Sequence, residues 1–159
     1  MRTKCKCSYA DPVAERIDDA VLGAWRGLLN AHAHITRRIS RDLADAGLPD
    51  LSWYDLLWAL RRQPEQRLRV NQLAREVVLS PTAMSRFVDR AEKAGVVRRE
   101  PHPDDRRALH VVLTDEGEDL LRRMWPVYAA GIERYFGAVL GADADTAREL
   151  LTRLADAAR

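Results

Sequence analysis

An apolar stripe too long for one small domain to cover runs along the first third of this 159-residue chain. Its members recur at three- and four-residue steps, the spacing of one helix face; they are Val13, Ile17, Val21, Ala24, Leu28, His32, Ile35, Ile39 and Leu43. Asp11-Pro12 has the residue types that begin helices, and Gly47 is of the type that ends them. A helix of about 35 residues would be roughly 50 Å long. We therefore expect a partner subunit to cover part of the stripe.

Signals for shorter elements follow Gly47. The predicted helices after the first are 50–63, 72–77, 81–94, 114–140 and 143–157, and the predicted extended segments are 67–70, 96–100 and 108–114. Asn71, Ser80 and Thr114 have side chains that cap helices. The stretch 101–107, PHPDDRR, is interpreted as a loop because it holds two prolines and an Asp pair. Two short helices joined by a tight turn and followed by a β-hairpin outline a winged helix-turn-helix.

The helix predicted over 81–94 separates into two faces when its residues are placed about 100° apart. One face is apolar and is expected to pack on the preceding helix; it holds Met84, Phe87, Val88 and Ala91. The other face is polar and holds Thr82, Ser85, Arg86, Asp89 and Arg90. Hydroxyl and guanidinium groups of this kind contact phosphates and base edges in a major groove. The same pattern is also typical of a solvated surface helix, so it favours DNA binding only together with the hairpin.

The charge distribution points weakly in the same direction. The formal net charge is only +2, but residues 65–113 carry ten basic and seven acidic side chains, whereas 114–159 carry six and nine. Arg106 and Arg107 are expected near the tip of the hairpin, and a narrow minor groove attracts such arginines. Asp105 is placed to hold the Arg107 guanidinium through a carboxylate pair. The alternative is an ordinary surface ion pair that contributes little.

The 47 residues from Asn71 to Gly117 resemble the multiple-antibiotic-resistance regulator (MarR) family of winged-helix repressors. The matching parts stand in the family's order and spacing: L-A-R-E, S-P-T-A-M-S-R-F-V-D-R-A-E-K-A-G, V-V-R-R-E, D-D-R-R-A and L-T-D-E-G. The flanking helices also suit the family, so the resemblance covers nearly the whole chain after residue 11. One residue departs from the pattern, since Val78 stands where many members have glycine. A β-branched residue disfavours positive φ, and we therefore expect this turn to be regular or shifted, which would move the DNA contacts by a residue.

The resemblance implies a mainly α fold with a small β-hairpin wing, a winged helix-turn-helix that dimerises through its N- and C-terminal helices. Residues 1–10 would be a flexible tail, 11–47 and 114–159 the helical dimerisation region, and 48–113 the DNA-binding domain. The implied function is a sequence-specific repressor that binds a pseudo-palindromic operator as a homodimer and is released by an aromatic or phenolic small molecule. The predicted DNA-binding residues are Ser80, Thr82, Ser85, Arg86 and Arg90 in the major groove and Asp105, Arg106 and Arg107 in the wing.

Effectors of this family often bind between the first, second and fifth helices, and aromatic walls suit flat anions. The candidate effector-binding residues are Trp25, His32, Trp53, Asp55 and Trp58. The alternative is that the tryptophans pack in the core or the interface, that His32 is a satisfied interior histidine, and that Asp55 completes a cap with Ser52. Trp25 and Asp55 resemble residues of urate-responsive relatives, but Leu29 replaces their arginine, so urate is not expected.

Cys5 and Cys7 are the basis of an alternative mechanism, since Lys4 and Lys6 beside them favour the thiolate. Some family members sense peroxides through a cysteine near the first helix, so a thiol-based redox regulator is one alternative and an inert tail is the other. A C-x-C pair has the wrong spacing for a zinc site. We expect no metal and no cofactor.

Other classes of protein are disfavoured by what the sequence lacks. No apolar run approaches the roughly 18 residues that cross a membrane, and no secretory signal is visible, so a cytoplasmic protein is expected. No catalytic motif such as G-x-S-x-G, H-E-x-x-H or a P-loop is present, so we expect no enzyme. A low-specificity architectural DNA binder is the second hypothesis, and an enzyme or a protein-interaction module with a degenerate winged helix is the third.

Overall fold

The computed structural model of the protein describes residues 17–102 and 105–158, and for residues 102 and 105–108 it describes the backbone. The longer elements are α1 (Asp19–Asp45), α2 (Leu51–Arg61), β1 (Arg67–Arg69), α3 (Val70–Glu76), α4 (Pro81–Lys93), β2 (Val97–His102), β3 (Asp105–Leu113), α5 (Asp115–Ile132) and α7 (Ala144–Ala157). Between α5 and α7 lie a π-helical segment (Glu133–Gly137), the short α6 (Ala138–Leu140) and a 3-10 turn (Gly141–Asp143). The mainly helical fold with a small β wing is therefore confirmed.

The chain divides within α1 into two units, residues 1–34 and 35–159. In the first unit several large apolar side chains are exposed, namely Ile17 before α1 and Val21, Trp25, Leu28 and Leu29 within it. The second unit holds the core, where α2, α3, α4, the sheet and α5 bury mostly leucine, valine and methionine. Leu56, Leu57 and Leu60 of α2 are fully buried, as the sequence predicts.

The first helix begins later than predicted. The predicted start at Asp11-Pro12 lies outside the described residues, but Ile17 and Asp18 are not helical, and α1 has 27 residues. Asp18 accepts a hydrogen bond from the Ala20 amide (2.8 Å) through its side chain. A side-chain oxygen in this position caps the free N–H groups of a helix start. The single helix predicted from residue 12 onward is therefore wrong, because an aspartate inside the apolar stripe caps α1.

Two other helix starts also differ from their predicted positions. Asp50 caps α2 by accepting from the Ser52 amide (2.9 Å), so the predicted pairing of Ser52 with Asp55 is not the cap. The start of α3 is held by Gln72, whose side chain accepts from the Arg69 amide (3.0 Å), and Asn71 is an exposed residue within the helix. The caps predicted at Ser80 and Thr114 are both present.

The wing is part of a three-stranded antiparallel sheet with the order β1-β3-β2. Much of the predicted loop 101–107 is strand, because β2 continues to His102 and β3 begins at Asp105. Pro101 pairs with Leu109 in this ladder, and a bulge follows between Pro101 and His102. Proline is tolerated on an edge strand, where the missing N–H faces away from the ladder. Pro101 therefore marks an edge strand beside a bulge rather than a loop.

Three of the described helices, α1, α3 and α4, end in the same motif. The residue after each C-cap has positive φ: Gly47 (69°), Val78 (55°) and Gly95 (76°). In each case the next amide donates to the carbonyl five residues back, with distances of 2.8–3.1 Å, which is the Schellman motif. The expectation of a regular or shifted turn at Val78 is wrong, since this valine adopts the conformation that glycine has at the other two ends.

Candidate nucleic-acid interface

The two faces predicted for α4 are confirmed. Met84, Phe87, Val88 and Ala91 are at most 3% exposed and pack into the core. The residues predicted for the polar face are exposed; they are Thr82, Ser85, Arg86, Asp89 and Arg90. The helix lies against α3, which buries Leu73 and Ala74, and it is followed directly by the strands of the wing. A polar face carrying hydroxyl and guanidinium groups therefore stands out from a rigid support.

The start of α4 is held by Ser80 and Pro81. The Ser80 hydroxyl accepts a hydrogen bond from the Ala83 amide (3.2 Å), and Pro81 occupies the first helical position. Serine at the N-cap and proline at the first position are both preorganised for a helix start. The Ser80 side chain thus orients the first turn of α4, and its predicted contact with DNA stays a prediction.

Arg90 is held against the helix by its own neighbour. Its guanidinium carbon lies 5.0 Å from the centre of the Phe87 ring, within the range of a cation–π interaction. Phe87 in turn meets Trp53 of α2 edge to face, with ring centres 5.6 Å apart. Trp53 thus joins α2 to α4, and its predicted role in binding an effector stays a prediction.

Arg99 on β2 is a residue of this region that the sequence did not single out. Its guanidinium pairs with Asp89 (2.5 Å) and with Glu92, both on α4. Burial opposes the charge of Arg99, but its hydrogen bonds to Asp89 and Glu92 and the charges of these carboxylates outweigh burial and raise its pKa. Two carboxylates three residues apart on a helix are a visible signal, but only the packing of β2 on α4 identifies their partner.

For the predicted wing residues, the structure describes the backbone but not the side chains. Asp105, Arg106 and Arg107 belong to β3, and Asp105 is the register partner of His102. The predicted pairing of the Asp105 and Arg107 side chains lies outside the described part of the structure and stays a prediction.

A cavity of about 480 Å³ lies between α2 and α5. It is lined by Tyr54, Asp55, Trp58, Arg61, Leu121, Arg122, Trp125, Tyr128 and Ile132. Two of the predicted effector residues, Asp55 and Trp58, are therefore in its wall, whereas Trp53 is not. The α5 residues of the wall were missed because the sequence does not reveal which face of α5 meets α2.

Aromatic rings dominate this cavity. Tyr54 stacks with Trp58 (6.1 Å between ring centres) and with Trp125 (6.2 Å), and meets Tyr128 edge to face (4.8 Å). Arg61 lies over the Trp58 ring and pairs with Glu118 at 3.3 Å. Burial raises the pKa of the Tyr54 phenol against the opposing effect of Arg61, and burial followed by the Asp55 charge raises that of Tyr128. Both phenols therefore remain protonated hydrogen-bond donors well above neutral pH.

The remaining predicted site residues belong to the N-terminal part of the chain. Trp25 and His32 belong to the unit formed by residues 1–34, where both are exposed. Cys5 and Cys7 lie outside the described residues. Among the residues that the structure describes, no group of three or more His, Cys, Asp or Glu side chains is placed to hold a metal ion. None of the described helices is long and apolar enough to cross a membrane.

Comparison with known proteins gives a consistent result. A sequence model of the MarR family matches residues 46–108. The crystal structure of Sco3205, a MarR family transcriptional regulator from Streptomyces coelicolor in complex with DNA, is 30% identical, covers 90% of this chain and 94% of that one, and has a TM-score of 0.78. AbsC from the same organism is also 30% identical, with coverages of 90% and 97% and a TM-score of 0.77. The transcriptional repressor MprA of Escherichia coli (strain K12) is 29% identical over 102 residues, which are 62% of this chain and 58% of MprA.

These relatives are transcriptional regulators and not enzymes. The similarity to the two Streptomyces proteins covers most of both chains. Together with the exposed polar face of α4, it assigns the chain to the MarR family of DNA-binding transcriptional regulators.

Proposed function

We propose that the protein is a cytoplasmic repressor that binds a pseudo-palindromic operator as a homodimer and is released by a small aromatic anion. The observation that carries this proposal is the division of α4 into a buried apolar face and an exposed face with two arginines. The naming of MprA as a transcriptional repressor supports the direction of regulation. The DNA complex of Sco3205 supports operator DNA as the partner.

In this proposal the first turns of α4 enter the major groove and the wing reaches the minor groove. The major-groove residues are Ser80, Thr82, Ser85, Arg86 and Arg90. Asp105, Arg106 and Arg107 are assigned to the wing, with Arg107 in the minor groove and Asp105 supporting it. Arginine enters narrow minor grooves because their negative potential is enhanced there. Residues 48–113 would then be the DNA-binding domain, and residues 11–47 and 114–159 would form the dimer.

Exposed apolar side chains near both ends of the chain support the homodimer. Trp25 is 55% exposed in the unit 1–34, and Leu154 of α7 is 60% exposed in the unit 35–159. Leu150 and Leu151 on α7 are exposed as well. Side chains of this size recurring at helical spacing mark surfaces that another subunit covers. Two recognition helices in such a dimer would meet half-sites about 34 Å apart.

The cavity between α2 and α5 is the proposed effector site. Stacked aromatic walls suit a flat ligand, and the wall also holds the guanidinium groups of Arg61 and Arg122, which pair with Glu118 and Asp119, and the Asp55 carboxylate. In this proposal an anionic group of the ligand takes the place of one of the pairing carboxylates. The phenols of Tyr54 and Tyr128 add hydrogen-bond donors, since burial keeps them protonated. An aromatic carboxylate or phenolate combines the shape and charge that this wall accepts.

The test of DNA recognition is a footprint on the DNA upstream of the protein's own coding region, at about 150 mM salt. We expect a protected palindromic stretch of about two helical turns, with a preference over random DNA of roughly a thousandfold or more. Arg86→Ala is expected to weaken operator binding by about fivefold or more, since a good bidentate base contact contributes roughly 1–3 kcal/mol. Arg107→Ala is expected to weaken it as well, because the minor groove loses the cation that its negative potential attracts. Sedimentation equilibrium checks that the variants stay dimeric.

Arg148→Ala is the matched control for these variants, because it removes the same charge from α7, where Arg148 pairs with Asp145 at 3.2 Å. Operator binding that is unchanged by both Arg86→Ala and Arg107→Ala would show that the assigned reading surface is wrong. Diffuse protection without site preference would favour the low-specificity binder. Release by peroxide that depends on Cys5 or Cys7 would favour the redox regulator.

A further inference from the structure

A side chain of α4 accepts a hydrogen bond from the edge strand of the wing sheet. In the strand order β1-β3-β2, the strand β2 has a neighbour on one side only. On β2, the backbone N–H of Arg99 donates to Glu92 Oε1 of α4 at 3.0 Å. An edge N–H that lacks a strand partner otherwise needs water or another chain. The Glu92 carboxylate therefore ties the backbone of the wing directly to α4.

The Arg99 side chain strengthens this connection. Its Nη2 lies 2.5 Å from Asp89 Oδ1, and its Nη1 donates to Glu92 Oε2. The side chain is only 21% exposed. Asp89 and Glu92 stand three residues apart and therefore on one face of α4. The flat guanidinium serves both carboxylates at once, which an ammonium group on a lysine does less well.

The position of Asp89 explains why this bridge matters for binding. Asp89 is exposed on the polar face of α4, close in sequence to Arg86 and Arg90. An unpaired carboxylate at this position would repel the phosphates that the two arginines attract. Arg99 offsets that charge from β2, outside the helix.

We propose that Arg99 is a positioning residue for DNA recognition: by bridging Asp89 and Glu92 it sets the orientation of the wing relative to α4. The inference rests on the proposed function, in which α4 and the wing contact the two grooves. Arg99 itself is not assigned a contact with DNA. Its effect on binding passes through the strands β2 and β3, whose backbone carries Arg106 and Arg107.

The test compares Arg99→Gln with Arg98→Gln on the dimeric protein and its operator. Arg98 is the neighbouring residue on β2 and pairs within its own strand with Glu100 at 2.8 Å, so its variant has the same charge change without a contact to α4. We expect Arg99→Gln to weaken operator binding by about tenfold or more, as loss of one partner of a hydrogen-bonded charge pair does. Arg98→Gln should stay within about threefold, as an exposed pair contributes little.

A readout specific to positioning comes from groove-resolved footprinting. For Arg99→Gln we expect the minor-groove protection assigned to the wing to be lost, while protection of guanine N7 by α4 remains. Glu92→Gln should produce the same loss, because it weakens the bridge and leaves every arginine in place. Arg99→Lys should restore protection in part, since it keeps the charge and can serve one carboxylate.

The double variant Asp89→Asn/Arg99→Gln separates positioning from charge compensation. Positioning predicts that wing protection stays lost in the double variant, even where affinity for random DNA recovers. Restored wing protection would overturn the proposal, because the role of Arg99 would then be to neutralise Asp89. Wing protection that persists in Arg99→Gln would also overturn the proposal. If, in addition, the salt dependence of operator binding fell by the equivalent of about one phosphate contact, Arg99 would be assigned a contact with the DNA backbone instead.

Separate controls are needed for the folding of the variants and for operator binding by the unmodified protein. Thermal unfolding and sedimentation of each variant establish that the dimer is intact, and Glu92→Gln replaces Arg99→Gln should the latter not fold. A footprint of the unmodified protein that is abolished by Arg86→Ala supports the proposed function whatever Arg99→Gln does. Absence of any footprint with the unmodified protein would overturn both the proposed function and this inference.

Discussion

Val78 is the residue at which this chain departs most clearly from favourable backbone chemistry. It has a φ of 55° and is 88% exposed, so packing against the described residues does not fix its conformation. The conformation instead follows from the end of α3, where the Leu79 amide donates to Ala74 (2.8 Å) and closes the helix. For a residue with a side chain, the left-handed region costs roughly 1–2 kcal/mol. The turn between α3 and α4 is thus held in place by the elements on both sides of it.

Replacing this valine with glycine should stabilise the protein. Val78→Gly removes the left-handed strain, while glycine's greater freedom in the unfolded chain costs roughly 0.5–1 kcal/mol, so we expect the free energy of unfolding to rise by up to about 1.5 kcal/mol. Urea unfolding of both proteins measures the difference. Gly95→Ala is the matched control, because Gly95 has the equivalent position at the end of α4 and a Cβ there would meet no atom within 4 Å.

The control should change stability in the opposite direction, by a similar amount, since alanine would acquire the strain that glycine avoids. A decrease in stability for Val78→Gly would show that the valine side chain makes a stabilising contact, for example across the dimer.

At the scale of elements, Thr114 and Gly117 hold the junction between α4, β2 and α5 together. The Thr114 hydroxyl donates to the Gly95 carbonyl (2.7 Å) and accepts from the Gly117 amide (3.1 Å), so one side chain joins the end of α4 to the start of α5. A Cβ on Gly117 would lie 2.2 Å from the Val96 carbonyl oxygen. The L-T-D-E-G segment therefore combines a cap with a close approach of two backbones.

Gly117→Ala tests this close approach. Because the added carbon meets a backbone atom that cannot rotate away, we expect the free energy of unfolding to fall by about 1–3 kcal/mol, the usual cost of overpacking. Chemical denaturation gives the value. For Gly23→Ala in α1, where a Cβ meets nothing within 4 Å, we expect a gain of up to about 1 kcal/mol from helix propensity. Equal effects of the two substitutions would contradict the steric account of Gly117.

At the scale of the whole molecule, α2 has contacts with both proposed sites. Tyr54 and Trp58 face the cavity, while the neighbouring Trp53 packs on Phe87 of α4. A ligand changes DNA affinity only as far as it favours one of two conformations. If a ligand in the cavity shifted α2, Trp53 would move with it and change the packing against Phe87 of α4. This gives the proposed release a physical route between the sites.

Trp53→Leu is expected to separate ligand binding from release. With benzoate as the probe, quenching of the cavity tryptophans should give the same affinity for the variant as for the unmodified protein, because Trp53 does not line the cavity. The factor by which benzoate weakens operator binding, typically about 5–150 for coupled sites, should decrease.

Arg61→Gln is the complementary variant and should weaken benzoate binding while leaving operator binding in its absence unchanged. Parallel losses of benzoate affinity and release in Trp53→Leu would show that Trp53 belongs to the ligand site. A benzoate affinity unaffected by Arg61→Gln would remove the electrostatic argument for an anionic effector.

The sequence by itself determined the features that depend on neighbours along one helix: the two faces of α4, the caps at Ser80 and Thr114, and the helix ends at Gly47 and Gly95. These are local because a helix face and a cap involve residues within about four positions of each other. The tertiary structure alone decided the pairing of Arg99 with α4, the α5 half of the cavity wall and the extension of β2 through Pro101. Each of these depends on which distant segments meet, and residue types do not specify that without the packed fold. The same reason explains Val78, whose conformation is imposed by the helices on either side against its own preference.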